Sequence, residues 1–295
     1  HVALDAEFAE FKRLVSDARA PWEKRVEACK RMRGIVEGGG ADCAGFVDHV
    51  RDAAETLANG AKDLRSQVTK ETCLTIARIS AALEQRFDQT AKSLIPVLLK
   101  QCGINTKIIS QSASLCVVQV VGSCQSSRVV ETVAQFGRDK NVAVRKRVHE
   151  IIVQIAAEYS LDLLKRHLVS LLGILEKGVS DADAVVRQHS RTAILLFDAN
   201  FPSECAAVIK RLPARHQKTL LKERAEGPSL KPGGRVGLKS TSSGTSSRSE
   251  SPLSRPGSRE AVPSGPQRVR PATESRGEVT RHTAGSAGLN RSGPQ

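Results

Sequence analysis

The chain has 295 residues and a formal net charge of +14, with hydrophobic residues at 40% and aromatic residues at only 3%. That length allows a sizeable core. No run of about 18 apolar residues exists, which excludes a membrane-spanning helix, and seven cysteines without a Cys-x-x-Cys spacing read as buried free thiols of a reducing compartment rather than as disulfides.

Composition divides the chain in two. Residues 1–227 hold nearly all the Leu, Ile, Val and Phe, together with Trp22 and Tyr159, the single residues of their kinds. From Pro228 onward there is no aromatic residue, Ser, Gly, Pro and Arg dominate, and 11 Lys/Arg stand against 4 Asp/Glu. Residues 228–295 cannot bury enough apolar surface to offset chain entropy and are expected to be a disordered basic linker. Positive charge on both parts predicts an acidic partner, with an attraction that salt weakens. The start holds no signal peptide, and His1 in place of Met predicts a piece of a longer protein.

The elements of 1–227 read as helices in pairs, an all-α class. Residues 4–17 set Leu4, Phe8, Phe11, Leu14 and Val15 on one face. A second helix opens at Pro21, a residue suited to a first turn, and runs to the Gly38-Gly39-Gly40 stop. Pairs follow at 42–59 and 64–84, 90–102 and 106–121, 128–137 and 142–158, 162–177 and 183–198, and a short polar pair at 203–211 and 214–224. Helix 64–84 carries the stripe Leu64, Val68, Ile76, Ile79 and Leu83; helix 142–158 carries Val144, Val148, Ile151, Ile152 and Ile155. Helix 106–121 is apolar nearly all round, which predicts cover on most sides. Gly103, Gly137 and Gly178 fall where a left-handed cap is favoured.

A basic residue returns at the start of successive second helices: Arg25, Arg65, Lys107, Arg145 and Arg187, at gaps of 40, 42, 38 and 42 residues. Polar turn residues precede most of them, namely Asp63, Asn105, Asn141, Asp181 and Asp183. This period predicts a solenoid of about six helical hairpins. Their turns align on one edge, and at about 10 Å per helix pair five turns make a ridge roughly 40 Å long, the scale of a protein subunit. The ridge holds Trp22 to Arg25, Lys62 to Arg65, Asn105 to Lys107, Lys140 to Arg145, and Asp181 to Arg187. An Arg there either binds a partner or pairs with an Asp of the neighbouring repeat. Trp22 shares the period of Val26 and Cys29, which places it on the buried stripe, yet it stands in the first turn, where a stripe reaches the edge.

Catalytic and metal signatures are missing. No phosphate-binding Gly loop occurs; His149-Glu150 lacks a second His, since position 153 is Val153; and Asp181-Ala182-Asp183 reads as a helix cap before a cation site. His189 lies on the stripe of Val186 and Ala193 and reads as core-facing. The expectation is a non-enzyme with neither cofactor nor metal.

Three runs carry a family resemblance: Pro21-Trp22-Glu23-Lys24-Arg25, Lys62-Asp63-Leu64-Arg65-Ser66-Gln67-Val68 and Ser180-Asp181-Ala182-Asp183-Ala184. Over about 4–224 they and the helix order resemble the second TOG domain of the cytoplasmic linker-associated proteins (CLASP, also called Orbit or MAST), a HEAT-repeat solenoid, and the Ser/Arg-rich tail is similar to the linker that follows it. The resemblance implies a microtubule-associated protein that binds tubulin through its intra-repeat turns, suppresses catastrophe and promotes rescue at plus ends, kinetochores and the spindle. It implies that Trp22 faces tubulin, with Lys24, Arg25, Lys62, Arg65, Lys107, Lys140, Arg145, Lys146 and Arg187 as contacts. Family linkers usually carry Ser-x-Ile-Pro motifs for end-binding proteins; none stands in 228–295, so that partner is expected only through regions outside this chain. Ser247, Ser251, Ser254 and Ser258 are either phosphorylation sites that would cancel lattice attraction or incidental serines of a solvated linker. The alternatives are a HEAT adaptor for another acidic protein and a nucleic-acid scaffold; too few aromatic residues stand ready to stack on single strands for the latter to lead.

Overall fold

Apolar side chains recur every three to four residues through most of the first 226 positions, and each stripe closes against the next helix. The structure, a computed structural model, describes residues 2–226. The expectations for 228–295, its disorder and its serines, lie outside the described residues.

The helices form six hairpins. They are α1 (Val2–Ser16) with α2 (Trp22–Glu37); α3 (Phe46–Asp52) and α4 (Ala54–Ala61) with α5 (Ser66–Leu83); α6 (Asp88–Cys102) with α7 (Lys107–Ser123); α8 (Ser127–Ala134) with α9 (Val142–Glu158); α10 (Leu161–Gly178) with α11 (Ala184–Asp198); and α12 (Pro202–Arg211) with α13 (Ala214–Glu226). No strand occurs among the described residues. The first members stack as one layer, α1 on α4, α4 on α6, α6 on α8, α8 on α10 and α10 on α12. The second members stack as the other, α2 on α5, α5 on α7, α7 on α9, α9 on α11 and α11 on α13. This is the two-layered HEAT-type α-solenoid that the period implied.

One apolar core runs between the layers, with Phe8, Phe46, Phe87 and Phe197 among its largest fully buried side chains. Polar contacts fix the register from repeat to repeat. Cys29 Sγ meets Thr72 Oγ1 at 3.5 Å, Ser80 Oγ meets Ser123 Oγ at 2.6 Å, and the Tyr159 hydroxyl donates to the Val121 carbonyl at 2.9 Å. Cys73, Cys116 and Cys205 are buried free thiols, as read; Cys43 alone of the seven is exposed. His189 is half-buried on α11, and burial lowers its pKa.

Four local readings need correction. The helix expected over 42–59 is a 3-10 turn at Gly40–Asp42 followed by α3 and α4. Gly39 at φ 86° and Gly45 at φ 84° take the left-handed backbone there, and each restarts the chain in a new direction. Leu64 is not on the buried stripe of α5: that helix starts two residues later, and Leu64 stands 96% exposed in the turn. Helix α7 is not covered all round, since Ile108 and Leu115 face solvent. Finally, Gly103, Gly137 and Gly178 are not left-handed. They are small because neighbouring repeats come close. A Cβ on Gly178 would collide with the buried Ser190 hydroxyl and the His149 ring, and one on Gly137 with Ile174.

The Gly178 contact sits beside a hydrogen-bonded His. Nε2 of His149 donates to the Gly137 carbonyl at 3.2 Å, and Nδ1 accepts from Ser190 Oγ at 2.9 Å, with burial lowering the imidazole pKa toward the neutral form. Gly178→Ala has to displace both partners and is expected to destabilise the domain by about 1–3 kcal/mol, against the small gain that Ala brings inside a helix. Urea unfolding of wild type and variant checks this; equal midpoints would disprove the close-approach account.

Candidate functional site

Four of the turns that enter the second-layer helices share a local design set by aspartates. Asp17, Asp63, Asp139 and Asp181 each accept the backbone N–H two residues on, from Arg19 (2.8 Å), Arg65 (2.8 Å), Asn141 (2.7 Å) and Asp183 (2.9 Å). Such Asx turns bend the chain without left-handed backbone. The next polar residue then caps the helix. Asn141 Oδ1 accepts from Ala143 N at 2.9 Å, and Asp183 Oδ1 accepts from Val185 N at 2.9 Å. Asp181 and Asp183 are thus turn and cap, as the sequence suggested, and among the described residues no cluster of His, Cys, Asp and Glu is arranged to hold a metal.

Arginines stitch consecutive turns together. Arg25, only 6% exposed, pairs with Asp63 of the next repeat. Arg145 forks onto Asp181 of the next repeat, Nε to Oδ2 at 2.8 Å and Nη2 to Oδ1 at 3.0 Å. Its Nη1 also donates to the carbonyls of Asp139 and Lys140 in its own turn. Arg187 likewise closes its own turn on the carbonyls of Asp181 and Ala182, both at 2.7 Å. Between the third and fourth hairpins, Asn141 Nδ2 reaches the Gly103 carbonyl at 3.4 Å instead. These bonds place the first turn beside the second and the third, fourth and fifth beside one another, and the packing of α5 on α7 joins the two groups along one edge.

The same bonds divide the predicted residues. Arg25 and Arg145 are taken out of the contact set, because their guanidinium groups are sequestered by carboxylates; Arg187 is half-buried on carbonyls, and Lys146 pairs with Asp183 at 2.9 Å. Trp22, Lys24, Lys62, Arg65, Lys107 and Lys140 are exposed. The side chains of Lys62, Arg65, Lys107 and Lys140 form no ion pair with any described residue. Trp22 is the first residue of α2 and 39% exposed, so its period with Val26 and Cys29 misplaces it. The Cα–Cβ bonds of a helix tilt toward its N-terminus. A first-turn side chain therefore projects past the last covering neighbour.

The same tilt, and the turns themselves, expose residues that sequence reasoning missed. Leu64 in the second turn, Ile104 and Ile108 at the third, Val142 at the fourth and Val185 at the fifth are all large apolar side chains left in solvent on this edge. Each turn from the first to the fifth thus offers at least one apolar contact, beginning with Trp22, and the first four set a free cation beside it. The signal was an apolar residue within two positions of each helix start, which periodicity alone counts as core.

Residues 4–221 match the model of the CLASP N-terminal family. The chain belongs to the CLASP N-terminal family. The CLIP-associating protein 1-B of Xenopus laevis is 28% identical over 289 residues, which cover 98% of this chain and 19% of that protein. The CLIP-associating protein of Drosophila melanogaster is 26% identical over 213 residues, 71% of this chain and 14% of that protein. The chain therefore spans less than a fifth of these curated relatives. Among solved structures, the third TOG domain of Drosophila melanogaster Mini spindles superposes with a TM-score of 0.57 at 17% identity, covering 76% of this chain and 96% of that one. This likeness supports the TOG-type helical fold that the CLASP resemblance implied.

The ladder has two measurable consequences for this CLASP domain. Arg145→Met strands the largely buried Asp181 carboxylate and is expected to cost about 2–4 kcal/mol, whereas Lys107→Met on the same edge changes stability by less than about 0.5 kcal/mol; urea unfolding distinguishes them. The Asp181 pKa is also lowered: burial raises it, but the Arg145 hydrogen bonds, the Asp183 amide and the Arg145 charge together outweigh that. A depressed carboxyl contributes stability that is present above its unfolded pKa of about 3.9 and is lost as pH falls through the folded value. The deficit of Asp181→Asn against wild type is therefore expected at neutral pH and should shrink below about pH 4, read from denaturant midpoints across the range.

Proposed function

We propose that this CLASP-family domain is a non-enzymatic microtubule-associated module that binds tubulin through its intra-repeat edge and regulates microtubule dynamics, suppressing catastrophe and promoting rescue. Membership of the CLASP N-terminal family supports the partner. A solved TOG array of similar fold belongs to microtubule polymerases described as recruiting tubulin. The observation that carries the reading is the row of solvent-facing apolar side chains, Trp22, Leu64, Ile104, Val142 and Val185, beside the free cations Lys24, Lys62, Arg65, Lys107 and Lys140. A protein surface is matched by apolar anchors inside a charged rim, and Trp is the strongest anchor type.

The contact set proposed is Trp22, Lys24, Lys62, Arg65, Lys107 and Lys140, with Lys146 and Arg187 at the far end; Arg25 and Arg145 support the turns. Family membership supports a site of action on the microtubule cytoskeleton of the cytoplasm, with plus ends, the spindle and kinetochores as the proposed stations. End-binding proteins would be reached through regions outside this chain. The rival readings fit the edge less well. A nucleic-acid scaffold needs phosphate-facing cations without an apolar row among them, and a HEAT adaptor for another acidic protein has no family support.

Trp22→Glu is expected to lower tubulin affinity at least tenfold and to remove the effect on catastrophe while leaving the unfolding midpoint within about 0.5 kcal/mol of wild type. Microtubule co-sedimentation with excess duplex DNA as competitor, together with dynamic assembly assays, reads this. Wild-type behaviour of the variant would overturn the anchor, and loss of microtubule binding to DNA would favour the nucleic-acid reading.

A further inference from the structure

From the third turn of the edge, the solvent side of the second layer carries an apolar patch whose two leucines the tubulin reading does not use. Its position follows from register. Cys73 of α5 lies next to Cys116 of α7, and further along Ser80 meets Ser123, so the two helices run parallel with these residues facing. Each residue turns a helix by about 100°. One step forward from Cys73 and one step back from Cys116 therefore rotate to the same side. Those steps are Leu74 and Leu115, which stand 38% and 59% exposed. Ile108, 49% exposed, lies two turns before Leu115 on the same face of α7 and also belongs to the third turn of the edge. The patch thus continues from the edge onto the helix faces.

The unpaired charge on its α2 and α5 flank is mainly positive. Helix α7 contains no Asp or Glu, and its other exposed side chains are Lys107, Gln111 and Gln119. On α5 and its neighbour α2 the cations are Lys70 and Lys30, both exposed. Most carboxylates nearby are already paired: Glu71 is buried against Arg33, Glu37 pairs with Arg78, and on the α9 side Glu150 pairs with Arg147. Glu158 of α9, which accepts from the Gln154 amide at 3.0 Å, lies beside Gly122 toward the far end of α7, and Glu23 stands two turns before Lys30 near the edge. Glu27 of α2 lies on the other side, in the groove against α1.

We infer that Leu74, Ile108 and Leu115, flanked by Lys30 and Lys70, form a second docking surface for an acidic amphipathic helix. Its apolar residues would repeat every two turns, to match the seven-residue spacing of Ile108 and Leu115, as in helix-on-groove recognition. Its carboxylates would meet the lysines on the α2 and α5 flank, on the opposite side of α7 from Glu158. The basic tail of this chain has the wrong charge to be the occupant. The inference does not depend on tubulin being the partner of the edge.

The test uses the full 295-residue chain and a fluorescent, glutamate-rich, helix-forming peptide with leucines at a seven-residue spacing, followed by anisotropy. Leu115→Glu and, separately, Leu74→Glu are expected to weaken peptide binding at least tenfold while leaving tubulin binding within twofold; Trp22→Glu is expected to do the reverse. Both leucines are already in solvent, and an unchanged urea midpoint confirms folding; Leu115→Gln serves if the charged variant unfolds. Equal affinity for a peptide whose leucines are replaced by serine would overturn the proposal, since charge alone would then explain binding. Loss of tubulin binding in Leu115→Glu would also overturn it, by making the patch part of the edge site. Failure of Trp22→Glu to affect tubulin would sink the edge reading and leave this one standing.

Discussion

The aspartate found in four of the first five entry turns is the group on which the arrangement of the edge depends. Asp181 shows why. One oxygen accepts the amide of Asp183 and bends the chain, both oxygens hold Arg145 of the previous repeat, and its own carbonyl is closed by Arg187. A single residue thereby shapes a turn and ties two repeats. Asp63 repeats this at the other end, bending its own turn through Arg65 N and holding Arg25. Hydrophobic burial would stack the helices without these contacts, because it is non-directional. The ion pairs and Asx turns fix where each turn stops, and therefore which side chains remain outside.

Charge on this surface has two uses that a sequence count cannot separate. Arginines that find a carboxylate in the adjacent turn become part of the scaffold. Cations that lack one, such as Lys62, Arg65, Lys107 and Lys140, stay available to a partner. The middle of the edge, around Lys107, has no Arg–Asp rung and is joined by the Asn141–Gly103 contact alone. Lys107 at the centre of the edge therefore stays unpaired, and the same third hairpin exposes Ile104, Ile108 and Leu115.

Much of this was legible before any coordinates. Five basic residues at gaps near 40, each before an apolar helix, can be satisfied by stacked hairpins and by little else. Val144, Val148, Ile151, Ile152 and Ile155 fell where their period put them, all buried. Periodicity failed at helix ends. Leu64 and Trp22 share the phase of buried residues, yet each sits where the stack runs out. It failed also at Gly137 and Gly178, where the demand for a small residue comes from Ile174, Ser190 and His149 of another repeat rather than from local backbone. No local rule can see such a neighbour.

By itself, then, the sequence determined the all-helical class, the number of hairpins, the turn positions and the existence of one long basic edge, because spacing and helix period are local properties of the chain. The tertiary structure alone decided which of the recurring basic residues remain free. That choice rests on whether an Asp some 36 to 38 residues away comes within hydrogen-bond reach. Arg25 and Arg145 find that partner and become structure; Arg65 and Lys107 do not and remain surface.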